Sequence, residues 1–176
     1  MPSPIAHSMT GYFINEVFPV NKTRQFPSFN HFFIVFASII VANAPDLDFI
    51  PQIITGNRYH HGLSHSLVLA LVFSSISVII WYLLTKKLLI RLFVWLLLLY
   101  CSHLLLDFFT AGGEGIQLLW PFTESFFISE IALFPGAHHS EGIFAISHLV
   151  FISFELIYSV LILIMIKVLK GKKLAK

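Results

Sequence analysis

The 176-residue sequence has little charge and almost no cysteine. Charged side chains make up 11% of it, whereas 57% of the residues are hydrophobic and 15% are aromatic. Soluble domains carry about 25% charged residues, so this composition excludes a water-soluble globule and indicates a polytopic membrane protein in a lipid bilayer. The single cysteine, Cys101, excludes an internal disulfide. The net charge of +2, with lysines clustered at the C-terminus, gives no sign of a nucleic-acid partner.

The chain also lacks any linker rich in proline, glycine and serine, and its composition does not change along its length. We therefore expect one domain over residues 1–176. The first basic residues, Lys22 and Arg24, come too late for the n-region of a cleavable signal peptide, so we expect the mature chain to begin at Met1.

Long apolar stretches predict three membrane-spanning helices. Residues 64–84 and 88–109 are each long enough to cross the hydrocarbon layer, and a third span is predicted over residues 144–168. Residues 4–17 and 31–42 predict two shorter apolar helices. Residues 111–142 contain four glutamates and no Lys or Arg, which predicts an acidic loop. The expected fold is an all-α polytopic membrane helical bundle with three long spans and an N-terminal pair of short helices.

The basic residues predict the orientation of these spans. Lys86, Lys87 and Arg91 separate the first two long spans, and five lysines follow residue 166. The positive-inside rule places both groups in the cytoplasm of a bacterial inner membrane, so the C-terminus is expected to be cytoplasmic. The candidate ligand side chains then gather near the extracytoplasmic end of the bundle: Asp46, Asp48, His60, His61, His65, His103 and Asp107. His7 joins them if the two short helices form a hairpin.

His103 and Asp107 lie four residues apart in an apolar helix and so share one face. A carboxylate near the middle of a membrane helix costs about 3 kcal/mol, which calls for a compensating partner. We interpret the pair as part of a functional site; the alternative is a His–Asp hydrogen bond that only joins helices.

Carboxylates and imidazoles without clustered thiolates suit zinc, manganese or iron, and two ions bridged by a carboxylate hydrolyse phosphate esters. One or two divalent ions, with zinc favoured, are therefore expected. Asp46 and Asp48 lie on a predicted non-helical turn, and we expect their side chains to point in different directions. We expect Asp46 to bind metal and Asp48 to orient a water or a ligand histidine, and we assign both a catalytic role. The alternative is that both cap a loop in water.

The segment from His60 to His65 allows two geometries. If the helix already runs through it, His61 and His65 share a face; if Ser64 is the N-cap, His60 lies on a loop and can reach the site. His65 belongs to the site in both geometries. The single histidines His31 and His148 are expected to pack or to form a hydrogen bond in the core. His138, His139 and Glu141 are expected in a solvated loop.

Five segments together resemble the motif series of the YdjM-like family of predicted membrane-bound metal-dependent hydrolases. They occur in the family's order: Ala6-His7-Ser8, Ala44-Pro45-Asp46-Leu47-Asp48, His60-His61-Gly62-Leu63-Ser64-His65-Ser66-Leu67, Ser102-His103-Leu104-Leu105-Leu106-Asp107 and Leu118-Leu119-Trp120-Pro121-Phe122. The resemblance implies a helical membrane protein distantly similar to zinc-dependent phospholipase C. It also implies a set of metal ligands: His7, Asp46 or Asp48, His60 or His65, His103 and Asp107, the last as a bridge between two ions. The chain departs from the family at His61, where the motif has Arg, and at Ser64, where it has Thr.

The predicted function is a metal-dependent hydrolase that acts on phosphate esters, such as lipid headgroups, at the extracytoplasmic face. One alternative is a non-enzymatic protein that binds or transports metal ions or protons. A bis-histidine haem protein that pairs two of His65, His103 and His148 is another.

Overall fold

A computed structural model describes residues 3–20, 30–57, 59–136 and 146–174, with the side chains of 146–148 and 172–174 left aside. In these residues the chain is helical, without a β-strand, which confirms the predicted fold class. The helices are α1 (Pro4–Val17), α2 (His31–Ala42), α3 (Phe49–Thr55), α4 (Leu67–Thr85), α5 (Ile90–Phe108) and α6 (Ile146–Leu174).

Three of these helices are long and apolar enough to cross a membrane: α4, α5 and the Leu149–Gly171 part of α6. They correspond to the three predicted spans. The sequence did not predict α3. With the preceding turn, α3 forms a segment, Ala44–Thr55, that continues α2 after a bend of 55°, so α2 and this segment together could form a fourth, broken span.

The expected extended conformation at Asp46 and Asp48 is wrong. α2 ends at Ala42, shortly before Pro45, and a 3₁₀ turn begins at once and covers Ala44–Asp48. Proline is tolerated in the first turn of a helix because the N–H it lacks would have no partner there. From this turn both carboxylates lie within 4.0 Å of ring nitrogens of His60 and His65. Both aspartates therefore face the same group of histidines.

The short helix α1 packs against α2, α5 and α6. Gly11 makes the approach to α2 possible, because a Cβ atom at this position would lie 2.8 Å from both Ala42 Cβ and the Ser38 carbonyl oxygen. Small residues commonly allow such close helix contacts in membranes. As a result, the N-terminal turns of α1, with His7, lie against the ends of α2 and α5.

A buried glutamate in α6 holds the beginning of α1. Glu155 is 2% exposed and accepts hydrogen bonds from the backbone N–H and the hydroxyl of Ser3. Ser3 is also the N-cap of α1, since its Oγ accepts from the Ile5 N–H. One turn further along α6, the hydroxyl groups of Tyr158 and Thr10 lie 2.7 Å apart. These contacts fix the helix that carries His7.

We expect Glu155→Ala to loosen α1 from α6, because the Ser3 N–H and hydroxyl would lose their acceptor. A buried donor left without a partner costs about 1–3 kcal/mol. Thermal unfolding in detergent and amide hydrogen exchange along α1 would measure the loss. Glu155→Gln keeps an acceptor oxygen and should lose less. An alanine variant as stable as the wild type, with α1 equally protected, would contradict this role.

Basic and acidic groups meet at the other end of the bundle. Arg91 donates from Nε to the Pro19 carbonyl at 3.0 Å, and Lys170 forms an ion pair with Glu16. Glu16 also lies 3.2 Å from Nε2 of His31, whose side chain is 65% exposed. The expectation that His31 packs in the core is therefore wrong, because the residue begins α2 at the surface. His138, His139, Glu141 and the side chain of His148 lie outside the described residues.

The acidic loop folds back over the histidine motif as far as it is described. Ile116 is fully buried, the Gln117 N–H donates to the His61 carbonyl at 3.0 Å, and the Leu67 N–H donates to the Leu118 carbonyl at 3.0 Å. The loop thus covers residues 61–67 and positions them against the end of α5.

Candidate metal centre

Four side chains from three parts of the chain converge in the interior. Asp46 comes from the 3₁₀ turn after α2, His65 from the turn before α4, and His103 and Asp107 from the last two turns of α5. His65 and His103 are fully buried, and Asp107 is 4% exposed. His103 and Asp107, the predicted i, i+4 pair of α5, therefore lie next to Asp46 and His65 from the two preceding motifs.

The four ligand atoms are evenly spaced. His65 Nε2 and His103 Nε2 lie 3.2 Å apart, and each lies 3.2 Å from Asp107 Oδ2. Asp46 Oδ1 is 3.5 Å from His65 Nε2 and 3.3 Å from His103 Nε2. Zinc binds nitrogen and oxygen ligands tetrahedrally at about 2.0–2.1 Å, which puts its ligands about 3.3–3.4 Å from one another. The five measured distances match this spacing.

The break in α2 orients His103. Pro45 has no N–H, and the Asp46 N–H donates to Asn43, so the helix does not continue past Ala42 in the α-helical pattern. The freed carbonyl of Ala42 lies 2.8 Å from Nδ1 of His103. A carbonyl can only accept, so Nδ1 carries the hydrogen, and Nε2 of the neutral ring presents a lone pair to the centre.

Asp48 orients His65 in the same way. The Ser64 hydroxyl donates to Asp48 Oδ2, and His65 Nδ1 lies 3.0 Å from the Ser64 oxygen and 3.2 Å from Asp48 Oδ2. His65 therefore donates from Nδ1, which leaves Nε2 for either a second proton or a metal ion. Tyr100 holds this turn by donating to the Ser64 carbonyl at 2.7 Å. Such carboxylate–histidine contacts are characteristic of metal ligands.

His60 and His7 flank the four ligands. His60 Nδ1 lies 2.8 Å from Asp48 Oδ1 and 4.0 Å from Asp46 Oδ1, and its ring stacks on Phe49. The ring of His7 stacks on that of His103 with centroids 3.7 Å apart, and His7 Nε2 lies 3.5 Å from Asp107 Oδ1. The two oxygens of Asp107 thus face different histidines, an arrangement that a bridging carboxylate would have. All six predicted metal-ligand residues, together with Asp48, lie in one cluster.

Several polar atoms of the cluster have no hydrogen-bond partner among the described residues. They are both ring nitrogens of His7, Asp46 Oδ1 and both carboxylate oxygens of Asp107. Buried polar groups are normally hydrogen-bonded, and here electron-pair donors face one another instead. A divalent cation bound by these atoms would give each of them a partner, and the residues present fit such an ion. A haem between His65 and His103 does not fit, because Nε2 of His65 and Nε2 of His103 are 3.2 Å apart with carboxylates at the same point, which leaves no space for a porphyrin between them. The pairings with His148 involve a side chain outside the described residues.

The surroundings shift the pKa values of His65 and His61 in opposite directions. Burial alone would lower the pKa of His65, but contacts with Asp107, Asp46 and Asp48 outweigh burial and raise that pKa to about 10. Burial, with His60 and His65 nearby, lowers the pKa of His61 to about 3, so His61 is neutral at pH 7. The negative potential that favours a proton on His65 also favours a divalent cation at the same place.

A cavity of about 520 Å³ lies beside the cluster. Its wall includes Asp48, His60 and Ser64 from the cluster, with Tyr59, Gln117 and Phe126 around them. This is within the usual size of a small-molecule site, about 300–1,000 Å³. Of the glutamates in the acidic loop, Glu114 also lines the cavity. A bound molecule could therefore reach the edge of the metal centre.

Comparison with known protein families matches residues 1–173 to the family described as YdjM inner membrane protein. The chain belongs to this family. This confirms the resemblance found in the five motifs, and with the three apolar helices it agrees with the expected location in an inner membrane. Neither the family's description nor the name of the relative below includes a reaction, a substrate or a metal.

The chain is similar to "Inner membrane protein YbcI" of Escherichia coli (strain K12), with 37% identity over 103 residues. The aligned part is 54% of this chain and spans only 58% of the length of that relative. No solved structure matches the chain significantly.

Sequence reasoning missed two residues that shape the centre. Ala42 acts through a carbonyl group, which no side-chain pattern can indicate. Glu155 stands alone in an apolar helix, and an intramembrane carboxylate of this kind is itself a signal that could have been used.

Proposed function

We propose that this chain is a membrane-bound metal-dependent hydrolase that cleaves phosphate esters, with zinc as the expected ion and lipid headgroups as the expected substrates. The observation that carries this proposal is the spacing of the four ligand atoms, 3.2 to 3.5 Å for the five measured pairs. Asp46, His65, His103 and Asp107 would hold one ion. His7, through Asp107 Oδ1, supports a place for a second.

A divalent ion held there would polarise a phosphoryl oxygen and lower the pKa of a water ligand towards about 7. The chain's own residues keep the ligands in place. Asp48 orients His60 and His65, and the Ala42 carbonyl orients His103. Such preorganisation supports catalysis because the ligands need not rearrange during the reaction.

A lipid substrate is supported by the depth of the centre. α5 ends at Phe108, one residue after Asp107, so the centre lies at the end of a span. Large apolar side chains of the neighbouring loop are exposed there, with Phe122 84% and Leu119 41% accessible. Aromatic residues favour the membrane interface. Glu124 and Glu130 do not line the cavity, which leaves Glu114 as the loop glutamate beside an anionic substrate in the described residues.

An ion carrier is less well supported. It would need polar groups from the centre to the opposite membrane surface, and the buried residues of α5 towards that surface include Leu92, Trp95, Leu96 and Leu99. In α4, the hydroxyls of Ser74 and Ser77 donate back to carbonyls of the same helix.

The test is a hydrolysis assay of the zinc-loaded protein in detergent. Phospholipids, lipid pyrophosphates and a generic phosphodiester would be offered to the wild type, Asp107→Asn, His65→Ala and the exposed-site control His31→Ala. We expect turnover by the wild type and the control, loss with a chelator, and rates at least about 10³-fold lower in the two ligand variants, since the ion contributes several kcal/mol. If no substrate is cleaved, or if the ligand variants cleave as fast as the wild type, the ion-binding alternative replaces this proposal.

A further inference from the structure

One ring nitrogen of His61 is held by a carbonyl, and the other is buried. Its Nδ1 lies 3.0 Å from the carbonyl oxygen of Gly115, while its Nε2 makes no hydrogen bond within the part of the chain that the structure describes. Because the carbonyl can only accept, Nδ1 carries the hydrogen and Nε2 presents a lone pair. A buried acceptor without a partner is costly, so the lone pair calls for a ligand.

The backbone at His61 is held in an unfavourable conformation. Its φ of 68° lies in the left-handed region, which residues with a side chain rarely adopt. Two hydrogen bonds fix it: the Gln117 N–H donates to the His61 carbonyl and the Gly62 N–H donates to the Tyr59 carbonyl, both at 3.0 Å. Strain of this kind persists where the surroundings impose it, and it is common at functional sites.

Other ligand groups lie next to His61. Its ring centroid is 4.1 Å from that of His60 and 5.0 Å from that of His65, and each of the three histidines has a nitrogen within 4.8 Å of the others. His60 forms a second such group with Asp46 and Asp48. Imidazole lone pairs and carboxylate oxygens thus continue from the four-ligand centre towards the cavity, whose wall includes His60.

We propose that His61 Nε2 is a ligand of an additional divalent cation, held with His60 beside the centre of Asp46, His65, His103 and Asp107. This inference rests on the proposed function in that it assumes a metal centre next to it. Imidazole ligands suit zinc or cobalt(II) rather than magnesium or calcium, so the expected ion is a transition metal. Since His60 lines the cavity, this ion would lie at the substrate side of the centre.

The experiment compares the number of ions bound by the full-length protein and its His61 variants. Protein in detergent is stripped with a chelator, titrated with Co²⁺, desalted and measured by elemental analysis and by its visible cobalt spectrum. His61→Gly accepts the backbone φ, His61→Asn is a second non-ligand variant that tolerates it, and His31→Ala is the control. We expect both His61 variants to bind one ion fewer than the wild type and the control. Added imidazole should restore that ion to His61→Gly.

Equal ion numbers and unchanged cobalt spectra in the wild type and either folded His61 variant would overturn the inference while leaving the four-ligand centre intact. A wild type that binds no ion would instead overturn the proposed function together with it. The two failures are therefore distinguishable.

Discussion

Asp107→Asn and His103→Ala are expected to lose bound zinc almost completely. Asp107 faces His65 and His103 with one oxygen and His7 with the other, and neither oxygen has a hydrogen bond from a residue that the structure describes. Removing residues that merely orient ligands already weakens metal affinity about 10–100-fold, so the loss of a ligand should cost at least about 100-fold. The measurement is metal content per chain after purification and desalting.

His31→Ala is the matched control, because it removes an imidazole that is exposed at the other end of the bundle. It should retain the metal content of the wild type. If Asp107→Asn and His103→Ala also retained it, the cluster would be an ion-pair network that joins helices, which was the alternative interpretation of the α5 pair.

The second large effect concerns orientation. We expect a cysteine in the acidic loop to be labelled by an impermeant reagent in intact cells, and one in the α4–α5 turn to be protected. Arg91 lies by Pro19, and Lys170 by Glu16, so these basic residues collect at the end away from the metal centre. Basic residues remain on the cytoplasmic side, which supports an extracytoplasmic centre.

The two positions are Ser125→Cys and Lys87→Cys, both exposed, in a Cys101→Ser background that removes the native thiol. Labelling of Lys87→Cys but not Ser125→Cys in intact cells would reverse the orientation and move the centre to the cytoplasmic side. Lysed cells, in which both should react, give the control for reactivity.

The sequence predicted the helices because their signals are local. The mostly apolar residues 4–17 after Ser3 and the apolar run before Pro45 predict α1 and α2 with the bounds that the structure has. Proline also caused the main error. Pro45 lies in the first turn of a 3₁₀ helix instead of an extended segment, and from this helix Asp46 and Asp48 both reach His60 and His65. Whether the chain after Pro45 is extended or helical depends on packing against α5.

The candidate ligands were predicted because intramembrane His and Asp are costly and so stand out. Which of them meet could not be predicted, since that depends on contacts between segments far apart in the chain. His61 illustrates the limit. Its ring lies close to the rings of His60 and His65 because its backbone is left-handed, and a hydrogen bond from Gln117, almost sixty residues later, holds that backbone. No periodicity in residues 60–65 indicates the contact between His61 and Gln117.

X-ray absorption at the zinc edge of the purified wild-type protein tests the central claim most directly. The four-ligand centre predicts a first shell of nitrogen and oxygen at about 2.0–2.1 Å, with imidazole scattering and no sulfur. That shell should be lost in Asp107→Asn. A wild type without bound zinc, or a sulfur shell at about 2.3 Å, would contradict the account.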